Sequence, residues 1–372
     1  MFVILLILIF IRPFISSLAF PYLNMVYSAL FVIFLLFWVS LKGWPLNKIQ
    51  TLKYPIILFC LALIISTFCS INIFQSFKEL YKYISGLLVF FIAINLDRVN
   101  KTKTIRAIVL AGLIISVLAI YQYFFGFRHL SEYIAKYGIS DSFTLDYTSH
   151  QRVFLPFVTP NTLGGYLAMV IPLVLTYKNR IAYVIPLCCA LLLTKSLGAL
   201  LSLFLALAIY SYLQGKVQRR RIIFLVGLIV VIGSVFITRL IVPKEHLRPI
   251  FSGVMRLNYW KETLKIIQNH PLAGVGVGNF NLMQSRYAHN SYLQILAEMG
   301  ILGISSILWL IVIVLKSALK KIKILPGNNL IAGLFAANAA FLIHNLIDFS
   351  FFLPEVSLIW WAILGLIKSK HE

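Results

Sequence analysis

Apolar residues in this chain come in runs of about twenty, one after another, from Phe2 to the last few residues. The runs are continuous; they do not alternate polar and apolar as a half-buried strand does, and their length matches a helix that crosses a bilayer. A bilayer core cannot satisfy open backbone groups, so these segments are expected to be helices. The pattern predicts spans at about 2–20, 22–41, 54–72, 84–96, 105–126, 153–177, 181–194, 199–213, 222–240, 290–315, 328–346 and 356–367. That is about 12 transmembrane helices in an all-α polytopic membrane protein. The first run has no basic stretch before it and no small-residue cleavage site, so it is expected to stay as a helix. Segment 73–83 mixes aromatics with Lys78 and Lys82 and is expected to lie in the interface. No soluble domain, internal repeat or low-complexity linker interrupts the pattern. Residues 1–372 are therefore expected to form one membrane domain.

Composition agrees. The chain is 60% hydrophobic and 12% charged, against roughly 25% charged residues in soluble domains. Its formal charge of +22 would point to nucleic acid in a soluble protein. Here no nucleic acid is expected, because basic residues between spans set topology and meet membrane lipids. The connections with Lys42, Lys48 and Lys53, with Arg98, Lys101, Lys103 and Arg106, with Lys178 and Arg180, with Lys216 and Arg219 to Arg221, with Lys316, Lys320, Lys321 and Lys323, and with Lys368 and Lys370 all fall on one side of a twelve-span chain. That side is expected to be cytoplasmic, with both termini. The other side holds longer loops at about 127–152 and 241–289. Cys60, Cys69, Cys188 and Cys189 lie in apolar runs without metal-ligand spacing and read as small membrane residues.

The loop at 241–289 contains Lys244, Arg248, Arg256, Lys261, Lys265 and Arg286, but only Glu245 and Glu262 as carboxylates. Positive charge on the outer side runs against the topology rule and needs another cause. A pocket for an anionic headgroup such as a diphosphate is one; a solvated basic loop touching anionic lipid is the alternative. Arg256, Trp260 and Leu264 fall at helical spacing, so Arg256 is expected to begin an amphipathic helix that ends near Asn269, ahead of Pro271. The following Gly274-to-Phe280 stretch is glycine-rich. It lacks the strand–helix setting of a dinucleotide site and reads as a tight turn packing the loop down. His289 and Asn290 open the next span. A neutral histidine there suits a general base, although a lone histidine at a membrane boundary is more often structural. Glu298, nine residues on, needs a buried partner.

The run from Arg256 and Trp260 through HPLAGVGVGNF to AHNSYLQILAEMGILG resembles the signature region of the O-antigen ligase and polymerase superfamily. Arg152 to Pro172 (RVFLPFVTPNTLGGYLAMVIP) and 344–354 (HNLIDFSFFLP) are similar to two further elements of that family, so the resemblance covers about 150–354. One position departs from it. Where the family often has Thr-x-Ser-Arg-Gly, this chain has Thr194, Lys195, Ser196, Leu197 and Gly198. Lys195 is expected to supply the missing charge, without an arginine's bidentate fork.

The resemblance implies a type-C glycosyltransferase-like fold with a long periplasmic loop containing short helices, in a bacterial inner membrane. It implies an undecaprenyl diphosphate-linked glycan as donor, a sugar hydroxyl of lipid A-core as acceptor, and inverting transfer at the periplasmic face. No cofactor and no metal are expected. In these terms His289 is the base and Arg256 the main diphosphate clamp. Arg152, Lys195, Asn161, Trp260 and Asn290 are substrate contacts. Glu298, His344 and Asp348 are structural or acceptor-side, with His344 and Asp348 expected to bridge on one helix face. O-antigen polymerase and protein O-oligosaccharyltransferase share these motifs and stay open. A lipid-linked sugar transporter would need paired intramembrane charges or broken helices in both halves; almost no charge falls within the first six spans, which disfavours that reading.

Overall fold

Each apolar run folds as helix. The computed structural model describes residues 1–43, 50–138, 142–177, 179–215, 219–240, 249–325 and 327–369. Basic residues of the topology pattern such as Lys48, Lys178, Lys216 and Lys370, and loop positions Lys244, Glu245 and Arg248, lie outside them. In chain order the helices are α1 (Phe2–Ile11), α2 (Pro21–Lys42), α3 (Lys53–Phe68), α4 (Ile73–Asn95), α5 (Arg98–Tyr121), α6 (Phe127–Tyr137), α7 (Ser142–Ser149), α8 (Pro160–Val174), α9 (Arg180–Leu193), α10 (Leu197–Leu213), α11 (Arg219–Leu240), α12 (Pro249–Asn269), α13 (Ser291–Ile324), α14 (Asn329–His344) and α15 (Pro354–Lys368). There is no strand among the described residues.

Starts are set by short polar side chains that satisfy open backbone N–H groups. Asn72 accepts from the Gln75 N–H at 3.1 Å, Asp97 from Asn100 at 2.8 Å and Asn328 from Ile331 at 3.2 Å. Among the described residues, four stretches are long and apolar enough to cross a membrane: Pro21–Leu41, Gln50–Phe68, Arg98–Tyr137 and Ser291–Ile324. Six shorter apolar helices accompany them, so this is a multi-pass membrane protein whose helices are far from uniform in length.

Two breaks explain part of that unevenness. The first apolar run is not one helix: α1 stops at Ile11, and a 3₁₀ turn at Arg12–Phe14 follows. Arg12 is fully buried. It donates to Asn24 Oδ1 at 2.6 Å and stands 3.5 Å from Glu355 on α15. A buried guanidinium needs such a partner, and it overturns the impression that the first spans carry almost no charge. The second break is at Gly300, whose φ of 62° and ψ of −166° interrupt α13. Segment 73–83 is the beginning of α4, continuous with the apolar part.

α15 is buried along almost its whole length and packs chiefly on α4. α8 is similarly enclosed, by α14, α10 and α9. Without water to drive helices together, close backbone approach at small residues does the work. A Cβ on Gly86 would lie 2.4 Å from the Trp361 indole nitrogen, and one on Gly365 would lie 2.7 Å from the Phe90 carbonyl. The four cysteines are free, and none is in the protein core.

Candidate functional site

The glycine-rich stretch settles onto the bundle where α3, α4 and α13 meet. Val275 N–H donates to the Ala297 carbonyl at 2.9 Å and Gly276 N–H to the Glu298 carbonyl at 3.0 Å. Gly274, Gly276 and Gly278 have φ of 72°, 106° and 71°, which other residues adopt at a cost. Space forbids side chains as well: a Cβ on Gly274 would lie 2.2 Å from the Glu298 backbone, and one on Gly278 2.3 Å from Glu79. The stretch is thus a packing turn, as its sequence context suggests. Glu298 holds it. One carboxylate oxygen accepts from the Gly278 N–H at 2.8 Å and the other from Gln294 at 2.9 Å.

A separate cavity of about 200 Å³ is lined by Arg152, Asn161, Ser196, Leu197, Gly198, Arg239, Ser252, Arg256, His344, Ile347 and Asp348. Three arginines from three elements converge on it. Arg152, in the connection before α8, donates to the Thr194 carbonyl at 3.1 Å and to Asn161 Oδ1 at 3.2 Å. The Ser196 hydroxyl donates to the same Asn161 oxygen at 2.9 Å. Arg239 comes from the end of α11. Arg256 comes from α12 and donates to the Ile347 carbonyl at 3.1 Å and the Ser252 hydroxyl at 2.7 Å. Burial lowers the pKa of Arg152 to about 9, with the charge of Arg239 adding to it; the group stays cationic at neutral pH. Burial likewise lowers that of Arg256, opposed by Asp348. Three guanidiniums around one lining carboxylate repel one another, and an anion placed among them would relieve that repulsion.

Asp348 connects this cavity to His289. Its Oδ1 accepts from the Phe349 N–H at 2.6 Å and the Ser350 hydroxyl at 2.9 Å, and its Oδ2 stands 3.5 Å from His344 Nε2. Burial opposes the charge on Asp348, but His344, His289 and these donors outweigh it and hold the carboxyl at about 2. The His289 ring packs beside Tyr259 at 5.7 Å and takes the edge of Phe349 at 4.9 Å. Its Nδ1 is buried with no protein partner. Burial lowers the His289 pKa to about 4, with Asp348 pulling it up and Arg256 pushing it down. Burial, more than the helix dipole, therefore keeps this ring neutral, and lowers it further than its place at a helix start suggests. Among the described residues, the non-glycine positions with positive φ are Gln151, Lys195 and His289, at 48°, 52° and 51°. All three flank the cavity or the histidine. Left-handed backbone costs about 1–3 kcal/mol per residue and gathers at functional sites.

Residues 182–308, about a third of the chain, match the family model described as O-antigen ligase. Over that segment the chain is similar to the O-antigen ligase superfamily. A comparison with curated proteins gives no match. Members of the O-antigen ligase superfamily are glycosyltransferase-like ligases and polymerases acting on a lipid-linked glycan and an acceptor, and the match supports a general enzyme role of that kind. The matched segment contains Lys195, Leu197, Arg239, Arg256, His289 and Glu298; Arg152, Asn161, His344 and Asp348 lie outside it.

Within the O-antigen ligase frame the predicted residues part company. Arg152, Asn161, Arg256, His344 and Asp348 share one cavity. Lys195, Trp260, His289, Asn290 and Glu298 do not line it. The Lys195 ammonium instead donates to the His150 carbonyl at 2.8 Å, so it does not take the place of an arginine at Leu197. Asn290 caps α13, its Oδ1 accepting from the N–H groups of Tyr292 and Leu293 at 3.0 and 3.1 Å. The cap of α8 is Thr159, bonded to the Thr162 N–H at 3.1 Å, which leaves Asn161 to hold Arg152. Arg256 sits two turns inside α12, which starts at Pro249, although the helix ends at Asn269 as the sequence indicates. His344 closes α14 and Asp348 lies beyond it, so their contact spans a turn and not a helix face. Lys261 and Lys265 are exposed on α12, and Arg286 lines a different groove. Sequence reasoning missed Arg239, Ser196 and Ser252. A cation at the end of an apolar run was the available signal for the first.

Proposed function

We propose that the chain transfers a glycan from undecaprenyl diphosphate to a sugar hydroxyl of lipid A-core, at the periplasmic face of a bacterial inner membrane, with inversion. The observation that carries this reading is the convergence of Arg152, Arg239 and Arg256 on one cavity whose only carboxylate among the described lining residues, Asp348, also acts on His289. A diphosphate leaving group needs several cations in a partly dehydrated site, and guanidiniums meet phosphate oxygens in pairs. The acceptor needs a base that is neutral at working pH.

In this mechanism the His289 ring takes the proton of the acceptor hydroxyl. The oxygen's electron pair forms the new bond to the anomeric carbon. The bond from that carbon to the diphosphate oxygen breaks, and its electrons leave with the diphosphate onto the three arginines. Asp348 steadies the imidazolium until the proton is lost to water. Asn161 is a positioning residue, because it fixes the Arg152 fork between Thr194 and Ser196.

The test is transfer by the purified chain in proteoliposomes supplied with a lipid diphosphate-linked glycan and lipid A-core. We expect glycosylated acceptor and free polyprenyl diphosphate in equal amounts, persisting in excess chelator. Absence of both products refutes the reading, and loss of activity on chelation refutes metal independence. Offering a second lipid-linked glycan in place of lipid A-core distinguishes ligase from polymerase. Extension of that glycan, with lipid A-core left untouched, makes the chain a polymerase.

A further inference from the structure

A second hollow lies between α2 and α4. It is a groove of about 620 Å³ that shares no lining residue with the arginine cavity. Its α2 wall is apolar and faces outward: Met25 is 62% and Ile33 64% exposed. From Pro21 to Ile33 that wall runs about 18 Å at the helical rise of about 1.5 Å per residue. Its mouth is basic. Lys78 and Lys82 come from the first turns of α4, and Arg286 from the loop that carries His289.

The charges at the mouth do not cancel. Glu79 pairs with Lys82 and stands 3.5 Å from Arg286. Lys78 has no ion pair among the described residues. Three cations therefore face one carboxylate. Part way down the wall, Ser28 is 3% exposed and its hydroxyl has no partner. Other buried helix serines, such as Ser116, turn back onto the carbonyl one turn earlier, here Gly112 at 2.8 Å; Ser28 does not. An outward apolar trough with a cationic mouth and an unpaired hydroxyl in its wall fits an anionic lipid.

The mouth also reaches the histidine. Tyr287 lines it and stacks on Phe349 at 4.1 Å; Phe349 presents its edge to His289 at 4.9 Å. We propose that this groove is the acceptor subsite. The acceptor's lipid lies along α2, its phosphate-bearing headgroup rests at Lys78 and Arg286, and its sugar passes Tyr287 to His289. This inference rests on the transfer reading above.

The test uses the full chain in phosphatidylcholine vesicles with spin-labelled phosphatidylglycerol or spin-labelled phosphatidylcholine as probe. We expect the anionic label to be retained in preference, by about fivefold for each cation engaged. The Lys78→Ala, Arg286→Ala double variant loses that preference. Ala29→Phe, which narrows the trough from a lipid-facing position, reduces retention of the label. Inorganic phosphate does not compete, because the apolar wall contributes to binding. Equal retention of the two labels, survival of the preference in the double variant, or displacement by inorganic phosphate overturns the proposal.

Transfer kinetics give the second readout. The double variant raises the acceptor KM about tenfold or more at unchanged donor KM; an unchanged acceptor KM overturns the acceptor assignment. Lipid retention is measured without turnover. A wild-type chain that selects the anionic label but transfers nothing therefore sinks the transfer reading alone.

Discussion

Replacing Arg256 with glutamine removes one guanidinium from the arginine cavity while keeping a side chain of similar reach. The group makes two protein contacts, to the Ile347 carbonyl and the Ser252 hydroxyl, neither of which carries charge. Fold stability should therefore change little, whereas a charge-assisted bond to a leaving diphosphate is worth about 1.5–3 kcal/mol. That converts to a fall in kcat/KM of about 10- to 150-fold. The pH profile adds a second, signed readout. His289 titrates at about 4, pushed down by burial and by Arg256 and pulled up by Asp348. Transfer needs the neutral ring, so the rate should hold near neutral pH and fall as pH drops through about 4. Arg256→Gln removes a positive neighbour, so this acid limb should move to higher pH. Asp348→Asn removes a negative one, so the limb should move lower. The assay is initial-rate transfer in proteoliposomes over the acid range, with expression and thermal unfolding checked for each variant. A kcat/KM within threefold of wild type, or an acid limb that shifts the same way in both variants, would refute the reasoning.

Three further outcomes follow from the geometry. His289→Gly relieves a left-handed backbone position and should leave the fold intact, yet lower kcat by about 10²–10⁴-fold with donor binding retained; full transfer, or lost donor binding, removes the base. Arg239→Ala should weaken donor binding by about tenfold, and adding Leu197→Arg, which faces the same cavity, should restore part of it; no loss in the single variant means that Arg239 does not meet the donor. Gly274→Ala pushes a Cβ into the Glu298 backbone at a positive φ and should cost at least about 1–3 kcal/mol. It is read as a lower unfolding temperature in detergent, and an unchanged temperature means that the turn does not pack as described.

Part of the candidate site was legible locally. Arg256 and His289 stand in a motif contiguous enough to read, and the glycine-rich stretch lacked the context of a phosphate cradle. Other predicted residues lie away from the cavity for a common reason: neighbours along the chain are not neighbours in space. Lys195 is two residues from Leu197, but its backbone turns left-handed and sends the ammonium to the His150 carbonyl. Asn290 follows His289, but the helix it opens takes its oxygen as a cap. Arg239 sits at the end of an apolar helix, and nothing in the sequence near it shows that α11 brings it to Arg152 and Arg256.

The sequence by itself determined that the chain is helical and membrane-embedded, since only helices satisfy the backbone of such long apolar runs in lipid. It carried the resemblance to the O-antigen ligase superfamily too, through a motif about fifty residues long that lies within the matched segment. The count of crossings was harder to read, because hydropathy is blind to a helix broken at Arg12 or at Gly300. Only the tertiary structure decided which cations share a cavity. Charge on a lipid-bounded chain is scarce, and its meaning depends on which helix ends are packed together. The packing of α11 on α10, of α12 on α13 and of α14 on α8 places three arginines from distant parts of the chain around Asp348 and leaves Lys195 outside.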